Sequence, residues 1–458
     1  MARFVGSLAR HPARTAFASY AGGVLAGGLL LLLPLCRAPS KPPIAPIDAV
    51  FTAASAVCVT GLTVRSTGHD FSLLGQIVVL LLIQLGGIGI ITVTTYITLR
   101  LGARQSLHNR TLLAETLGSG DEPDLRAVLR RVVRFALLFE AAGAVILTAR
   151  FLFDYSVLDA LWHGLFHSIS AFCNAGFSLN DDSLMHYRGD WVVNLVVMAL
   201  IICGGIGYPV MIDVVRNWFG PWPDRWGRLM LHTKLMLAGT AALIVFGTAS
   251  VLMLEAYHAL NGMTLSERLL AAMFQSVTSR TAGFNTLDTA TLRDATLFVV
   301  ILLMLVGAGP CSAAGGYKVT TLMLLLLRAW TTFRGGRRVH LSRRTIPEDV
   351  IDRAITTVLL FAVTATIGLV CLLMLQQYHF SDSVSGELFL HASFEVASAL
   401  GTVGLSTGLT PFLTNWGKVV IIVLMFMGRL GPITVVAAVS LGRREPPIAY
   451  ASEEPLVG

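Results

Sequence analysis

One pattern of hydrophobicity occurs four times in this 458-residue chain. In each occurrence, a long apolar stretch is followed by a short, less hydrophobic segment and then by a second long apolar stretch. The long stretches reach the roughly 20 residues that a helix needs to cross a bilayer, whereas the short segments have only about 12–15 residues. Segments of that length do not span, so we expect them to enter and leave the membrane on the same side.

The repeats predict an all-α membrane protein with four M1–pore helix–M2 repeats, that is, eight transmembrane helices and four re-entrant pore helices around a pseudo-fourfold pore. The repeats are predicted at 1–104, 105–220, 221–340 and 341–445, followed by a cytoplasmic C-terminal tail at 446–458. The first helices (M1) are predicted at 16–35, 132–152, 233–254 and 354–376. The short segments are predicted at 47–58, 159–173, 265–279 and 386–400. The second helices (M2) are predicted at 73–99, 191–215, 295–328 and 416–441, with a break in the third.

Composition excludes an ordinary soluble protein. Hydrophobic residues make up 54% of the chain and charged residues 13%, about half the charged share of a soluble domain. Most Lys and Arg residues lie at the N terminus, between the repeats and at the C terminus, so the positive-inside rule predicts cytoplasmic termini in a multi-pass plasma (inner) membrane protein. The basic residues behind the net charge of +7 are spread among these regions and do not form a patch for nucleic acid. We therefore expect membrane lipid, and no nucleic acid, as a partner.

Chemistry-bearing residues do not indicate an enzyme. The six cysteines are scattered without a CxxC spacing, which predicts neither a disulfide framework nor a zinc site. His163 and His167 have an i, i+4 spacing that is compatible with a metal but is more typical of helix packing. No nucleophile–base pair or nucleotide-binding domain stands out, so no covalent cofactor is expected.

The ends of the four short segments share a glycine that is followed by Leu or Phe and then by a small polar residue. The segments read SAVCVTGLT at 55–63, SAFCNAGFS at 170–178, VTSRTAGFN at 277–285 and SALGTVGLS at 398–406. The residues expected to surround an ion are Val59, Thr60, Gly61, Asn174, Ala175, Gly176, Thr281, Ala282, Gly283, Thr402, Val403 and Gly404.

A cation that crosses lipid must exchange its water shell for other oxygens, and a ring of backbone carbonyls can supply them. Glycine reaches the unusual backbone angles that such a ring requires. Non-helical backbone at membrane depth must be buried in protein or line a wet path. Membrane helices also use glycine for close packing, so a single glycine would be weak evidence. Four glycines at matching places favour an ion path formed by the carbonyls of these residues.

Two features suggest a gate below that path. Gly307, Gly309, Pro310, Gly315 and Gly316 interrupt the second helix of repeat three, which predicts either a packed kink or a non-helical loop beside a cavity. The spacing GxxxxGK[ST] is absent there, so we reject nucleotide binding. Arg429, near the end of the last helix, either extends to the inner surface or opposes ion passage as a buried cation. Lys318 is a second candidate, and Glu140 is a candidate structural partner.

The segments VTGLT, NAGFS, RTAGFNT and TVGLS resemble the four filter segments of the Trk/Ktr/HKT superfamily of potassium transporters, and the likeness covers nearly the whole chain. None of the four copies carries the TVGYG of potassium channels. The length, the eight predicted spans and the string SRTAGFNT are most similar to the membrane (KtrB-type) subunit of bacterial Ktr systems.

That resemblance implies a channel-like, potassium-translocating subunit, gated by an intramembrane loop and by a cytoplasmic regulatory subunit. It also implies a homodimer above a nucleotide-binding ring of the KtrA or TrkA type, with nucleotide bound only by the ring. Glycine in all four copies argues for K⁺ over Na⁺, while Na⁺ dependence stays open. The basic stretch 334–344 is a candidate contact for the ring or for anionic lipid. Alternatives are a Trk-type subunit, the pore subunit of an ATP-driven K⁺ pump, or a membrane enzyme or receptor.

Overall fold

The computed structural model describes residues 12–89, 125–218, 225–310, 312–341, 344–376 and 385–431. Helices dominate these ranges, together with a short antiparallel hairpin formed by β1 (His340–Leu341) and β2 (Arg344–Thr345). The predicted tail at 446–458 and Cys311 lie outside the described residues.

The first helix of each unit is long. Stretches at Val132–Phe151, Leu231–Glu255 and Glu348–Gln376 are long and apolar enough to cross a membrane. Many of the large apolar side chains on these helices are exposed, as expected where lipid covers the surface. The first helices are α1 (Pro12–Leu31), α4 (Leu125–Phe151), α9 (Leu231–Glu255) and α13 (Glu348–Gln376).

The short helices begin and end within two residues of the predicted bounds. Their starts are encoded locally: in the third, Thr264 accepts a hydrogen bond from the Glu267 N–H while the Glu267 carboxylate accepts one from the Thr264 N–H, a capping box. In the second, the Ser156 side chain caps the first turn. The short helices are α2 (Pro46–Val57), α5 (Val157–Phe172), α10 (Leu265–Thr278) and α14 (Ser385–Gly401).

Within the described residues, each second helix ends earlier than its predicted bound. They are α3 (Leu73–Ile88), α6 (Trp191–Ile206), α11 (Asp294–Leu305) and α15 (Asn415–Leu430). The prediction of one continuous helix at 191–215 is wrong, because α6 ends before Gly207, whose φ is 95°. Helices α3 and α15 likewise end before a glycine with positive φ, Gly89 at 86° and Gly431 at 82°. The remaining parts of the two predicted helices, 90–99 and 432–441, lie outside the described residues. Glycine adopts such angles at little steric cost, whereas hydropathy registers only the continuing apolar character.

The chain after the break is described for two of the second helices, and both resume. α7 (Tyr208–Trp218) continues α6 with a bend of 102°. In repeat three, helix α11 ends at Leu305 and helix α12 (Val319–Phe333) begins after a non-helical stretch. We call the stretch 306–318 the intramembrane loop; its break in the helix matches the prediction. The short helix α8 (Arg225–Arg228) precedes α9.

Contacts between the units close a ring. Each second helix packs against the short helix of the next unit, and the last unit returns to the first. The pairs are α3 with α5, α6 with α10, α11 with α14, and α15 with α2. The short helices are the most deeply buried elements, and each carries a fully buried phenylalanine: Phe51, Phe166, Phe274 and Phe394. The ring brings the ends of the four short helices to one place.

Candidate functional site

The four predicted glycines lie side by side in a closed ring. A Cβ atom added to any of them would collide with a carbonyl oxygen of the next segment. The distances from that added Cβ to the carbonyl oxygen are 2.4 Å for Gly61 and Ala175 O, 2.7 Å for Gly176 and Ala282 O, 2.4 Å for Gly283 and Val403 O, and 2.2 Å for Gly404 and Thr60 O. These carbonyls belong to the residue that precedes each glycine, so the backbone leaves no room for side chains at this level.

The four segments share one unusual backbone conformation. The glycines have φ values of 94°, 67°, 82° and 94°. Two residues before each glycine, φ is again positive: 56° at Val59, 58° at Asn174, 72° at Thr281 and 50° at Thr402. Positive φ turns the peptide planes away from their usual strand alternation, which allows successive carbonyls to face the same side. All twelve predicted residues are therefore brought together in four equivalent backbone segments.

Hydroxyl groups of the short helices hold these segments from behind. Ser55 Oγ accepts from Gly61 N at 3.0 Å, and Ser398 Oγ accepts from Gly404 N at 3.0 Å. Ser170 Oγ donates to Phe177 O at 2.8 Å, and Thr278 Oγ1 donates to Phe284 O at 2.7 Å. No role was predicted for these four residues, although a serine stands six positions before the glycine in three of the four copies and could have indicated one.

The intramembrane loop lies directly against the ring. A Cβ atom on Gly315 would lie 2.0 Å from Thr402 Oγ1, so this glycine touches the fourth segment. On the other side, Gly309 N donates to Gly205 O at 2.8 Å and Ala313 N donates to Gly204 O at 3.1 Å. The loop thereby uses the last carbonyls of α6, which the break at Gly207 leaves without helical partners.

Both predicted cations bind the intramembrane loop. Arg429 donates from its two terminal nitrogens to Ala313 O and to Gly86 O, and from Nε to the Tyr20 hydroxyl at 3.3 Å. Lys318 Nζ donates to Ala314 O at 2.7 Å. Arg429 therefore joins the loop to α3 and α1, while Lys318 binds the loop internally. Gly307, Pro310 and Gly316 also lie in the loop, and Gly307 N donates to Tyr317 O at 2.8 Å.

The whole chain is similar to known ion transporters. The family model of the TrkH cation transport proteins matches residues 29–443. The chain belongs to this family.

Two relatives match nearly the full length of the chain. The Ktr system potassium uptake protein B of Bacillus subtilis is 40% identical over 90% of this chain and 89% of its own length. The protein of the same name from Vibrio alginolyticus is 37% identical over 96% of this chain and 93% of its own length. The crystal structure of the potassium transporter TrkH from Vibrio parahaemolyticus superposes with a TM-score of 0.71 at 21% identity, covering 93% of this chain and 84% of that one, which shows a shared fold.

Other polar residues of this TrkH-family chain connect its units. Asp48, in the first turn of α2, pairs with Arg65 Nε at 3.0 Å and with Lys418 Nζ at 2.7 Å, so it joins units one and four in addition to suiting the helix dipole. Glu140 accepts a hydrogen bond from Gln84 at 2.8 Å and so links units two and one. His167 Nε2 lies 3.0 Å from Ser178 Oγ, and its ring stacks on His163.

The described part of the chain contains no group of three His, Cys, Asp or Glu residues suited to a metal.

Outside the helices, Asp181 pairs with His69 Nδ1 at 2.8 Å and accepts a hydrogen bond from Ser66. Partial burial raises the pKa of Asp181, but these hydrogen bonds outweigh burial and hold the pKa below its usual range. This contact joins the loops that follow the glycine segments of units one and two.

Proposed function

We propose that this protein is the potassium-translocating subunit of a K⁺ uptake system and works as a gated, channel-like path driven by the ion gradient. The observation that carries the proposal is the ring of four glycines with the preceding carbonyls crowded around it. Such a ring can replace the water shell of a cation. The choice of K⁺ is supported by the names of the two Ktr relatives.

In this proposal the twelve ring residues form the selectivity filter, and K⁺ is held by backbone carbonyls. The short helices aim their C-terminal ends, which carry partial negative charge, at the ring, and this favours a cation there. Glycine in all four copies favours K⁺ over Na⁺. No side-chain chemistry on a substrate is required, so the function is transport and not catalysis.

The intramembrane loop is proposed as the gate. It occupies the space beside the fourth segment, and it is held by Arg429 and Lys318. Flow requires the loop to leave this position, and each contact that holds it favours the closed state. A cytoplasmic regulatory subunit would act by changing the balance between the two positions.

The proposal includes a topology and an assembly. The four units, with boundaries near 104, 220 and 340, would supply eight spans and four re-entrant helices in the plasma membrane, with both termini in the cytoplasm. The subunit would form a homodimer and bind a nucleotide-binding ring of the KtrA or TrkA type. A Trk-type subunit and the pore subunit of an ATP-driven K⁺ pump are the alternatives.

The decisive experiment is rubidium uptake into proteoliposomes that contain the purified protein. We expect uptake that follows an imposed gradient without ATP and that excess K⁺ abolishes, whereas equal Na⁺ competes weakly. Empty liposomes are the control. A second series with added Na⁺ on the same side tests Na⁺ dependence. Absence of K⁺-dependent flux, with and without a co-purified regulatory subunit, would contradict the proposal, and flux that requires ATP would favour the pump alternative.

A further inference from the structure

Glu395 is a fully buried carboxylate on α14, nine residues before Gly404. It accepts three hydrogen bonds: from Ser406 Oγ at 2.5 Å, from Thr407 N at 3.2 Å and from Thr410 Oγ1 at 2.5 Å. The Thr407 N–H can only donate and both hydroxyls can donate, so these partners can satisfy an ionised carboxylate, which only accepts. A buried carboxylate is costly unless it is satisfied in this way.

The three donors belong to one short stretch, two, three and six residues after Gly404. Glu395 therefore ties the chain that leaves the fourth segment to the helix that leads into it. On the other side of the same glycine, Ser398 O accepts from Val403 N at 2.8 Å and Ser398 Oγ accepts from Gly404 N at 3.0 Å. The fourth segment is thus held from α14 both before and after its glycine.

The equivalent positions in the other units differ. Nine residues before each glycine stand Thr52, His167 and Phe274. Thr52 Oγ1 donates to Asp48 O within its own helix, and Phe274 has no polar side-chain atom. His167 makes one such contact, with Ser178 Oγ, which corresponds to Ser406. Of these four positions, only the one in unit four carries a carboxylate, and that carboxylate accepts three hydrogen bonds from the loop after the glycine.

Discrimination between K⁺ and Na⁺ depends on the size of the carbonyl cage and on the number of oxygens it offers. A loop released from Glu395 would let Val403 and Gly404 move, and their carbonyls would then approach a smaller ion. Residues that never touch the ion can therefore set selectivity by fixing the backbone.

We infer that Glu395 is a positioning residue that sets ion specificity by holding the outer side of the fourth filter segment. This inference rests on the proposed function, since it presumes that the segment around Gly404 binds the transported ion.

The test measures rubidium uptake and its competition by Na⁺ in proteoliposomes for the full-length protein and matched variants. Glu395→Gln keeps the size of the side chain but replaces one of its two acceptor oxygens with an amide donor, which faces either Thr410 or the pair Ser406 and Thr407 N. We expect about a tenfold loss of preference for rubidium over Na⁺, the value of one hydrogen bond to a charged group. The rubidium KM should rise more than the maximal rate falls. Glu348→Gln, an exposed carboxylate at the start of α13, is the control and should leave both values unchanged.

Two further variants keep the test informative. Ser406→Ala and Thr410→Val each remove one donor and leave Glu395 in place; each should lower selectivity, and Ser406→Ala should add little to Glu395→Gln. If Glu395→Gln fails to insert, these two variants decide. Wild-type selectivity in the folded variants would overturn the inference. Gly404→Ala separates the two claims: if it alters selectivity while the Glu395 series does not, only the inference fails, and if it too has no effect, the filter assignment fails.

Discussion

The most informative residues are those with positive φ that are not glycine. Val59, Thr281 and Thr402 are β-branched, and a left-handed conformation costs such residues roughly 1–3 kcal/mol each. Their conformation recurs at the same place in different units, so it is imposed by the surroundings. The hydroxyl groups of Ser55, Ser170, Thr278 and Ser398 supply part of that constraint. Strain that is repeated and braced in this way marks the site where backbone geometry matters.

Gly61→Ala should therefore reduce rubidium uptake and weaken discrimination against Na⁺. The new Cβ would lie 2.4 Å from Ala175 O at a φ of 94°, and the left-handed strain alone, about 1–2 kcal/mol, corresponds to roughly a tenfold effect. Uptake with Na⁺ competition measures it. Gly22→Ala is the control, because nothing lies within 4 Å of the added atom. Equal selectivity in the two variants would contradict the filter assignment.

At the scale of elements, the intramembrane loop connects parts that are distant in sequence. It binds the last carbonyls of α6, packs on the fourth segment and receives Arg429 from α15. Arg429 also binds the last turn of α3 through Gly86 O. The breaks in the second helices make this possible, since they leave carbonyls without intrahelical partners at the level of the loop. The loop position is thus stabilised jointly by three second helices.

Arg429→Ala should raise K⁺ flux. The variant removes a cation and two charge-assisted hydrogen bonds, one to Ala313 O in the loop and one to Gly86 O on α3, which together tie the loop to α3. Each such bond contributes about 1.5–3 kcal/mol. Several-fold faster uptake in proteoliposomes is the expected result. Arg429→Lys keeps the charge but cannot bridge both carbonyls, so it should give an intermediate rate. Arg353→Ala, at an exposed position of α13, serves as the control. Unchanged or slower flux in a folded Arg429→Ala protein would argue against the gate.

At the scale of the whole molecule, the closed ring of units explains why one chain can enclose a complete path. Each second helix packs on the next short helix, and α15 returns to α2. The ring needs no second copy to close, so a homodimer would contain two separate paths. Exposed apolar side chains such as Leu138, Val245 and Leu359 cover the outer helices and suit contact with lipid or with another subunit.

We expect the purified protein to be a dimer in mild detergent, with a protein mass twice the 49.2 kDa of the chain. Light scattering coupled to size-exclusion chromatography, with the detergent mass subtracted, measures this. Dilution over two decades is the control for weak, concentration-driven association. A single-chain mass at every concentration would contradict the proposed assembly and leave the ring of four units unaffected.

The sequence by itself determined the class of fold, the fourfold repetition and the bounds of the short helices. These features depend on local properties: the length of apolar runs, capping residues such as Thr264, and glycines that recur at matching positions. It also singled out Lys318 and Arg429 because charges at membrane depth are costly. The assignment of K⁺ came from resemblance, and the roles of filter, gate and regulator stay predictions.

Only the tertiary structure decided how these parts meet. The breaks at Gly89, Gly207 and Gly431 lie in apolar runs that a hydropathy pattern reads as continuous helix. The contact of Arg429 with Gly86 and Ala313, and the three donors around Glu395, join residues that no local pattern relates. The four repeats predicted four equivalent segments. Their closure into a ring, with carbonyls too close for any side chain, follows from packing each second helix on the next unit.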